Sequence, residues 1–232
     1  MADTKNYVKP KGNPGTFRLV AVILWLLGLA CETVGILALI GRFNPPIDYV
    51  IFVGIMLAVD AIVVIVGSYL WRRANRIDPP SEKNKVEFFL KMQLGALMAV
   101  LAFLPILIVI YSDKNMDKKA KTWMSILATI LALVVLGSSI DWNPISLEDL
   151  QQMEVNAETS DFGAGNVQWS KNSKVYHTWK DCAALHRIYD SNLRSGTAKD
   201  AFEDGKARMC KYCAAHFNIT KGVEEGALDT QE

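Results

Sequence analysis

Four long runs of apolar residues, all before Asp141, constrain this chain more than any other feature of its sequence. A helix needs about 20 apolar residues to cross the roughly 30 Å hydrocarbon core of a bilayer. Buried helices of water-soluble proteins are rarely both this long and apolar on every side. The runs therefore predict four transmembrane helices, at residues 19–41, 49–71, 88–111 and 122–140.

The ends of these runs carry aromatic residues, as the interfacial belts of membrane proteins do. The first run is too long for the apolar part of a signal peptide, and no small-residue cleavage site follows it, so we expect it to remain as an anchor. The aromatic residues concerned are Tyr49, Tyr69, Trp71, Tyr111, Trp123 and Trp142.

The distribution of Lys and Arg predicts that both termini face the cytosol. Basic residues accumulate in the cytosolic flanks of membrane proteins. The N-terminal flank (1–18) and the second loop together hold nine of them, whereas the first and third loops hold five. An even number of spans then places the polar C-terminal half on the cytosolic side as well. We expect a multi-pass protein of a cell membrane, of bacterial origin.

Two acidic residues, Glu32 and Asp60, lie inside the first and second runs. At 1.5 Å per residue both are near mid-depth, so they can face each other across an antiparallel helix pair. An intramembrane carboxyl is costly and indicates a proton or cation path. The alternative is that protonated carboxyls join neighbouring helices by hydrogen bonds. Cys31, beside Glu32, is expected to be a small packing residue.

The polar half of the chain divides into an acidic linker (141–165), a compact module (166–220) and an acidic tail (221–232). The linker carries six acids and no base, and we expect it to be a stalk with a short helix beginning near Ser146. In the module, β-prone residues on either side of a turn predict a hairpin, and a Ser-Gly-Thr sequence before residue 198 predicts a short helix. The expected fold class is an all-α membrane protein, a four-helix transmembrane bundle followed by a small α+β zinc-stapled module.

Three cysteines and a histidine in the module have the spacing of metal ligands. His177 and Cys182 are separated by four residues, and a gap of 27 residues leads to the Cys-x-x-Cys pair of Cys210 and Cys213. Two such ligand pairs close a tetrahedral zinc site, and four protein ligands leave no open position for catalysis. We therefore predict one structural Zn²⁺, which a module of this size needs in order to fold. A redox dithiol and inert thiols are the alternatives, and His186 and His216 compete with His177 as the fourth ligand.

This part of the sequence resembles the small zinc module of the Ada type. The resemblance runs through Tyr176-His177-x4-Cys182-x2-Leu185 and then Gly196-Thr197-x3-Ala201-x3-Gly205-x4-Cys210-x2-Cys213, about 45 residues in all. It implies a ligand role for Cys182, Cys210 and Cys213. In Ada four cysteines bind the zinc, whereas this chain has His177 at the start of the first pair and a gap one residue longer.

No hydrolase triad, zinc-protease motif, P-loop or dinucleotide fingerprint is present, so we do not expect an enzyme. The leading hypothesis is a membrane protein that displays the zinc module to the cytosol as a docking platform for a protein partner. The first alternative is a small transporter or metal-responsive protein that uses Glu32 and Asp60. The second is membrane-tethered nucleic-acid binding, because nine basic and five acidic residues lie between Lys171 and Cys213, although the whole chain has a net charge of only +1.

Overall fold

The structure is a computed structural model that describes residues 12–114 and 116–218. The expectations for residues 1–11 and for the acidic tail lie outside the described residues. The described chain forms two compact units, residues 12–144 and residues 145–218. The first unit is helical, and the second combines helices with a small mixed sheet.

The first unit contains five helices, four of which are long and apolar enough to cross a membrane. Asx side chains cap four of the helices, since Asn13, Asp48, Asn84 and Asp117 each accept a hydrogen bond from a backbone N–H of the first turn. The helices are α1 (Pro14–Leu39), α2 (Tyr49–Ile77), α3 (Lys85–Met92), α4 (Leu94–Ser112) and α5 (Lys118–Ser139).

The third apolar run does not form one continuous helix. The single span expected at 88–111 is divided at Gln93 into the short α3 and the long α4. The Gln93 side chain donates to the carbonyl of Asp141 at 3.0 Å and accepts from the backbone N–H of the same residue at 3.1 Å. These two bonds tie the break to the end of α5, so the third apolar helix begins at Leu94.

Small residues allow the long helices to approach closely. α1 and α2 lie side by side, and a Cβ added to Gly67 of α2 would lie only 2.8 Å from the indole nitrogen of Trp25. The core of this unit is formed by large side chains from α1, α2, α4 and α5, among them Trp25, Leu57, Phe103, Ile106 and Met124. On the outer faces, large apolar side chains remain exposed, as with Leu133 at 65% and Ile62 at 63%.

The second unit begins with helix α6 (Leu147–Glu158), whose start is fixed by a capping box between Ser146 and Asp149. This confirms the short helix expected near Ser146. The helix is not part of a free stalk, because its apolar face packs on the sheet of the module. The compact unit that contains the expected module (166–220) begins at Ile145. The physical reason is that the apolar face of α6 is buried against the sheet.

The sheet has four short strands in the order β3-β1-β2-β4. β1 pairs antiparallel with β2 and with β3, which confirms the expected hairpin, and β2 pairs parallel with β4. The strands are β1 (Asn166–Ser170), β2 (Val175–His177), β3 (Leu193–Thr197) and β4 (Arg208–Met209).

Two further helices complete the second unit. The expected short helix is α7 (Ala198–Glu203), which Thr197 caps through a capping box with Asp200. Residues 211–218 form a final helix, α8. The core between α6, α7 and the sheet contains Met153, Val167, Trp169, Tyr176 and Phe202, and all five side chains are buried.

Candidate metal centre

Four side chains of the second unit converge on one point. The ligand atoms of His177, Cys182, Cys210 and Cys213 all lie within 4.8 Å of one another. All four residues are buried, and the most accessible of them, Cys210, is 6% exposed. The arrangement is a closed His/Cys group that could hold a metal ion.

Backbone pairing explains why residues so far apart in sequence meet here. His177 ends β2, and the parallel ladder pairs Tyr176 with Met209, the residue before Cys210. The backbone N–H of Cys210 donates to the carbonyl of Tyr176 at 2.9 Å, which continues this pairing. Cys213 lies in the first turn of α8, one turn after Cys210. The pairing of β2 with β4, together with the first turn of α8, therefore brings three of the four ligands close to one another.

Cys182 reaches the group from a separate loop. Its carbonyl accepts from the backbone N–H groups of Leu185 at 2.9 Å and of His186 at 3.3 Å, which closes a tight turn just after the cysteine. Apolar side chains surround the sulfur atoms, including Leu185, Ile188 and Val175. The loop is thus held by its own turn and by contacts with these neighbours.

Two of the distances between ligand atoms are close to those expected around a tetrahedral ion. Around a tetrahedral ion, two sulfurs at about 2.3 Å are about 3.8 Å apart, and a sulfur and a nitrogen at about 2.0 Å are about 3.5 Å apart. The sulfurs of Cys182 and Cys210 are 3.9 Å apart, and the Cys213 sulfur is 3.6 Å from Nδ1 of His177. The cysteines are free thiols, and 3.9 Å is far from the roughly 2.05 Å of a disulfide.

Burial shifts the pKa of two side chains of the group. It raises the pKa of the Cys213 thiol and lowers the pKa of the His177 imidazole, so it favours the neutral form of both side chains. Backbone N–H groups of Thr178 and Trp179 donate to the Cys213 sulfur and act in the opposite direction, because they stabilise a thiolate. A buried thiolate with such donors is the state that a bound cation stabilises.

The three histidines that could supply the fourth ligand differ in their positions in the structure. His216 lies in α8 with its ring stacked on Trp179, at 4.3 Å between centroids and 11° between planes. His186 is exposed in the turn after Cys182. Among the described residues, the group of convergent ligand atoms contains His177 and neither of these two histidines. His177 is therefore the histidine placed to complete the site.

Three aromatic residues of the module, Trp169, Tyr176 and Trp179, are candidates for stacking on nucleic acid, but two of them are internal. Trp169 and Tyr176 are 0% and 1% exposed and belong to the core between the sheet and the helices. The hydroxyl of Tyr176 accepts a hydrogen bond from the amide of Asn156 in α6 at 3.1 Å. Of these three aromatic residues, only Trp179 is partly accessible.

Sequence reasoning missed two contributors to this site. One is the pair of backbone donors at Thr178 and Trp179, which side-chain spacing does not reveal. The other is β4, a strand of two residues whose pairing with β2 brings Cys210 to His177. The Arg208-Met209 pair before the Cys-x-x-Cys motif is too short to give a strand pattern.

The two acids that lie inside the long apolar helices are also buried, Glu32 at 5% and Asp60 at 0% exposure. Oε1 of Glu32 accepts from the backbone N–H of Ile106 in α4 at 3.3 Å. Cys31, on the same helix as Glu32, is half-buried and lies in the other unit from the metal ligands.

Comparisons with protein-family models, with curated proteins and with solved structures found no match to this chain. The resemblance to the Ada-type module therefore stays a prediction. The convergent His/Cys group rests on geometry and does not depend on that resemblance.

Proposed function

We propose that this protein is a four-span membrane protein whose C-terminal unit holds one structural Zn²⁺ and serves as a cytosolic docking platform for another protein. The observation that carries the proposal is the closed set of three thiols and one imidazole within 4.8 Å. Such a donor set suits zinc, and with four protein ligands it leaves no position for substrate or water. The metal would therefore act on folding and not on catalysis.

The membrane part of the proposal is supported by where apolar side chains are exposed. Leu19, Leu26, Ile62, Leu133 and others like them project from the four long helices, far more than a water-soluble surface tolerates as a contiguous patch. Exposed aromatic residues lie at the helix ends, where the interface with headgroups would be. These include Tyr69, Tyr111, Trp123 and Trp142, which are between 54% and 72% exposed.

The docking role is supported by large side chains exposed beside the metal ligands. Tyr212, between Cys210 and Cys213, is 58% exposed, and Tyr189, in the loop after Cys182, is 81% exposed. Exposed tyrosines are enriched in protein interfaces because they offer apolar area and a hydroxyl together. A metal that holds both segments in place would make the presentation of these side chains depend on zinc.

The nucleic-acid alternative is less well supported by the same unit. Trp169 and Tyr176 are buried. Lys206, one of the nine basic residues between Lys171 and Cys213, is also buried, and it donates to the backbone carbonyls of Lys171 and Ser173. Arg194 is engaged in an ion pair with Asp204 at 3.2 Å. Two of the nine basic residues are therefore occupied in holding the module together.

The first test measures the metal in the full-length protein purified in detergent. We expect one zinc per chain by elemental analysis, and loss of the zinc when Cys210 or Cys213 is changed to Ser. The matched control is Cys31→Ser, which changes a cysteine outside the group and should leave the zinc in place. Retention of zinc by both Cys210→Ser and Cys213→Ser would contradict the proposed site.

The second test asks what the module contacts in the cell. A photo-crosslinking amino acid at Tyr212 should give a discrete protein adduct that disappears when Cys182→Ser removes the metal site. The control position is Val155, which is exposed on α6, a helix that contributes no side chain to the His/Cys group. An adduct with nucleic acid, or equal adducts from both positions, would contradict a protein docking surface at the metal site.

A further inference from the structure

Asp60 is a buried carboxyl group without a partner. It is 0% exposed, and neither of its oxygens has a hydrogen-bond partner among the described residues. An ionised carboxylate in such surroundings is strongly disfavoured, because it gives up its hydration without any compensating bond. A proton or cation that removes the charge would relieve this cost.

Glu32 lies at the same level of the bundle as Asp60. On α1 it stands between Gly28 and Gly35, one turn from each, so these three residues share a helix face. A Cβ added to Gly28 would lie 2.5 Å from Oδ1 of Asp60, and one added to Gly35 would lie 3.7 Å from Cβ of Met56. Since Met56 and Asp60 are one turn apart on α2, the carboxyl of Glu32 faces the segment that carries Asp60.

A third helix contributes a donor to this level. α4 contains Pro105, which lacks a backbone N–H and whose ring disturbs the hydrogen bonds of the preceding turn. The next N–H, that of Ile106, donates to Oε1 of Glu32 at 3.3 Å. One oxygen of Glu32 is therefore engaged by α4, while Asp60 stays without a donor.

Within the described part of the chain, no basic side chain lies close enough to neutralise the two acids. The titratable groups that interact with Asp60 from α1 are Glu32 and Cys31. α4 contributes no ionisable side chain between Leu94 and Ile110, and α5 contributes none between residues 122 and 139. On α2 the nearest basic residue, Arg72, is about 18 Å along the helix axis from Asp60. Two negative charges at this level would repel each other with no cation to balance them.

We propose that Asp60 and Glu32 form a proton-binding site inside the helix bundle, in which the Asp60 carboxyl carries an exchangeable proton at neutral pH. A proton removes the charge of Asp60 through a single covalent bond and needs no further ligand. Sodium or another metal cation needs about six oxygen ligands. The two carboxyls supply at most four, and the backbone carbonyls of α1 and α2 are engaged in their helices. The geometry thus favours a proton over a metal cation.

The test uses dicyclohexylcarbodiimide, an apolar reagent that modifies protonated carboxyl groups in apolar surroundings. Full-length protein in nonionic detergent is treated at neutral pH, and the modified residue is identified by peptide mass spectrometry. We expect modification of Asp60 that declines as the pH is raised and is lost in Asp60→Asn. Glu87, an exposed acid paired with Lys91 at 2.6 Å, is the internal control and should stay unmodified.

The outcomes separate this site from the metal centre. Asp60→Asn should retain its zinc and elute as the wild type does, which shows that the variant is folded. If it is not folded, the infrared carbonyl band of a protonated carboxylic acid, measured in the wild type across pH, decides the question. Absence of both the modification and this band at neutral pH would overturn the proposal. Protection by sodium chloride but not by choline chloride would also overturn it, in favour of a sodium site.

Discussion

Replacing Met153 by Ala tests whether α6 is part of the metal-binding unit. Met153 is 1% exposed and packs with Val167, Trp169, Tyr176 and Phe202 across the interface between α6 and the sheet. These neighbours belong to strands and a helix whose positions are fixed by the β-ladder and by a capping box, so they cannot close over the missing side chain. We therefore expect a cavity and not a local collapse.

The magnitude follows from the atoms removed. Met→Ala deletes three heavy atoms, which at about 0.8 kcal/mol for each buried methylene-sized group is about 2.4 kcal/mol. The cavity adds to this loss, so a value of about 3 kcal/mol is expected, within the range of about 2–5 kcal/mol seen for such changes in cores. Because metal binding and folding are coupled, the same loss weakens apparent zinc affinity by about two orders of magnitude when the free unit is unfolded.

The assay is chemical denaturation of a soluble fragment, residues 141–232, at a fixed free zinc concentration. The free zinc must be buffered because the stabilisation of the folded state rises with the logarithm of the free zinc concentration. The matched control is Val155→Ala on the same helix, where the side chain is 51% exposed and a change within about 0.5 kcal/mol is expected. Equal stability of the two variants would refute the reasoning and return α6 to the role of a free stalk.

Three further predictions concern the ligand choice, the topology and the acid pair. His177→Ala should strongly reduce zinc retention, whereas His216→Ala should leave it nearly intact because that ring stacks on an indole; equal effects would mean the wrong histidine is chosen. With both termini cytosolic, an impermeant thiol reagent on intact cells should label a cysteine at Asn44 and spare one at Lys83; the reverse pattern would invert the topology. Gly28→Ala should destabilise the bundle by about 1–3 kcal/mol in thermal unfolding, and by less in an Asp60→Ala background, since the added Cβ would lie 2.5 Å from that carboxyl.

Local sequence determined the elements that need only their own residues. Each long helix follows from about 20 apolar residues that can satisfy their backbone groups internally. The starts of α6 and α7 follow from capping boxes at Ser146 and Thr197, which act within one turn. The Cys-x-x-Cys pair is likewise local, since Cys210 and Cys213 are held together by one turn of helix.

Tertiary structure decided which distant residues join these elements. The choice of His177 over His216 depends on the parallel pairing of β2 with the two residues of β4, and no pattern as short as two residues carries that information. The break at Gln93 depends on Asp141, which is 48 residues away in the chain.

The linker and the intramembrane acids show the same difference between what composition predicts and what packing decides. Six acids and no base predicted a stalk with a short helix. In the structure Leu150, Met153 and Ala157 form a buried face of that helix, because a helix can expose its charges on one side while it packs with the other. The sequence located Asp60 at mid-depth of an apolar run. Only the packing of α1, α2 and α4 shows that this carboxyl lacks a partner, since hydrogen bonds between helices depend on their rotation and depth.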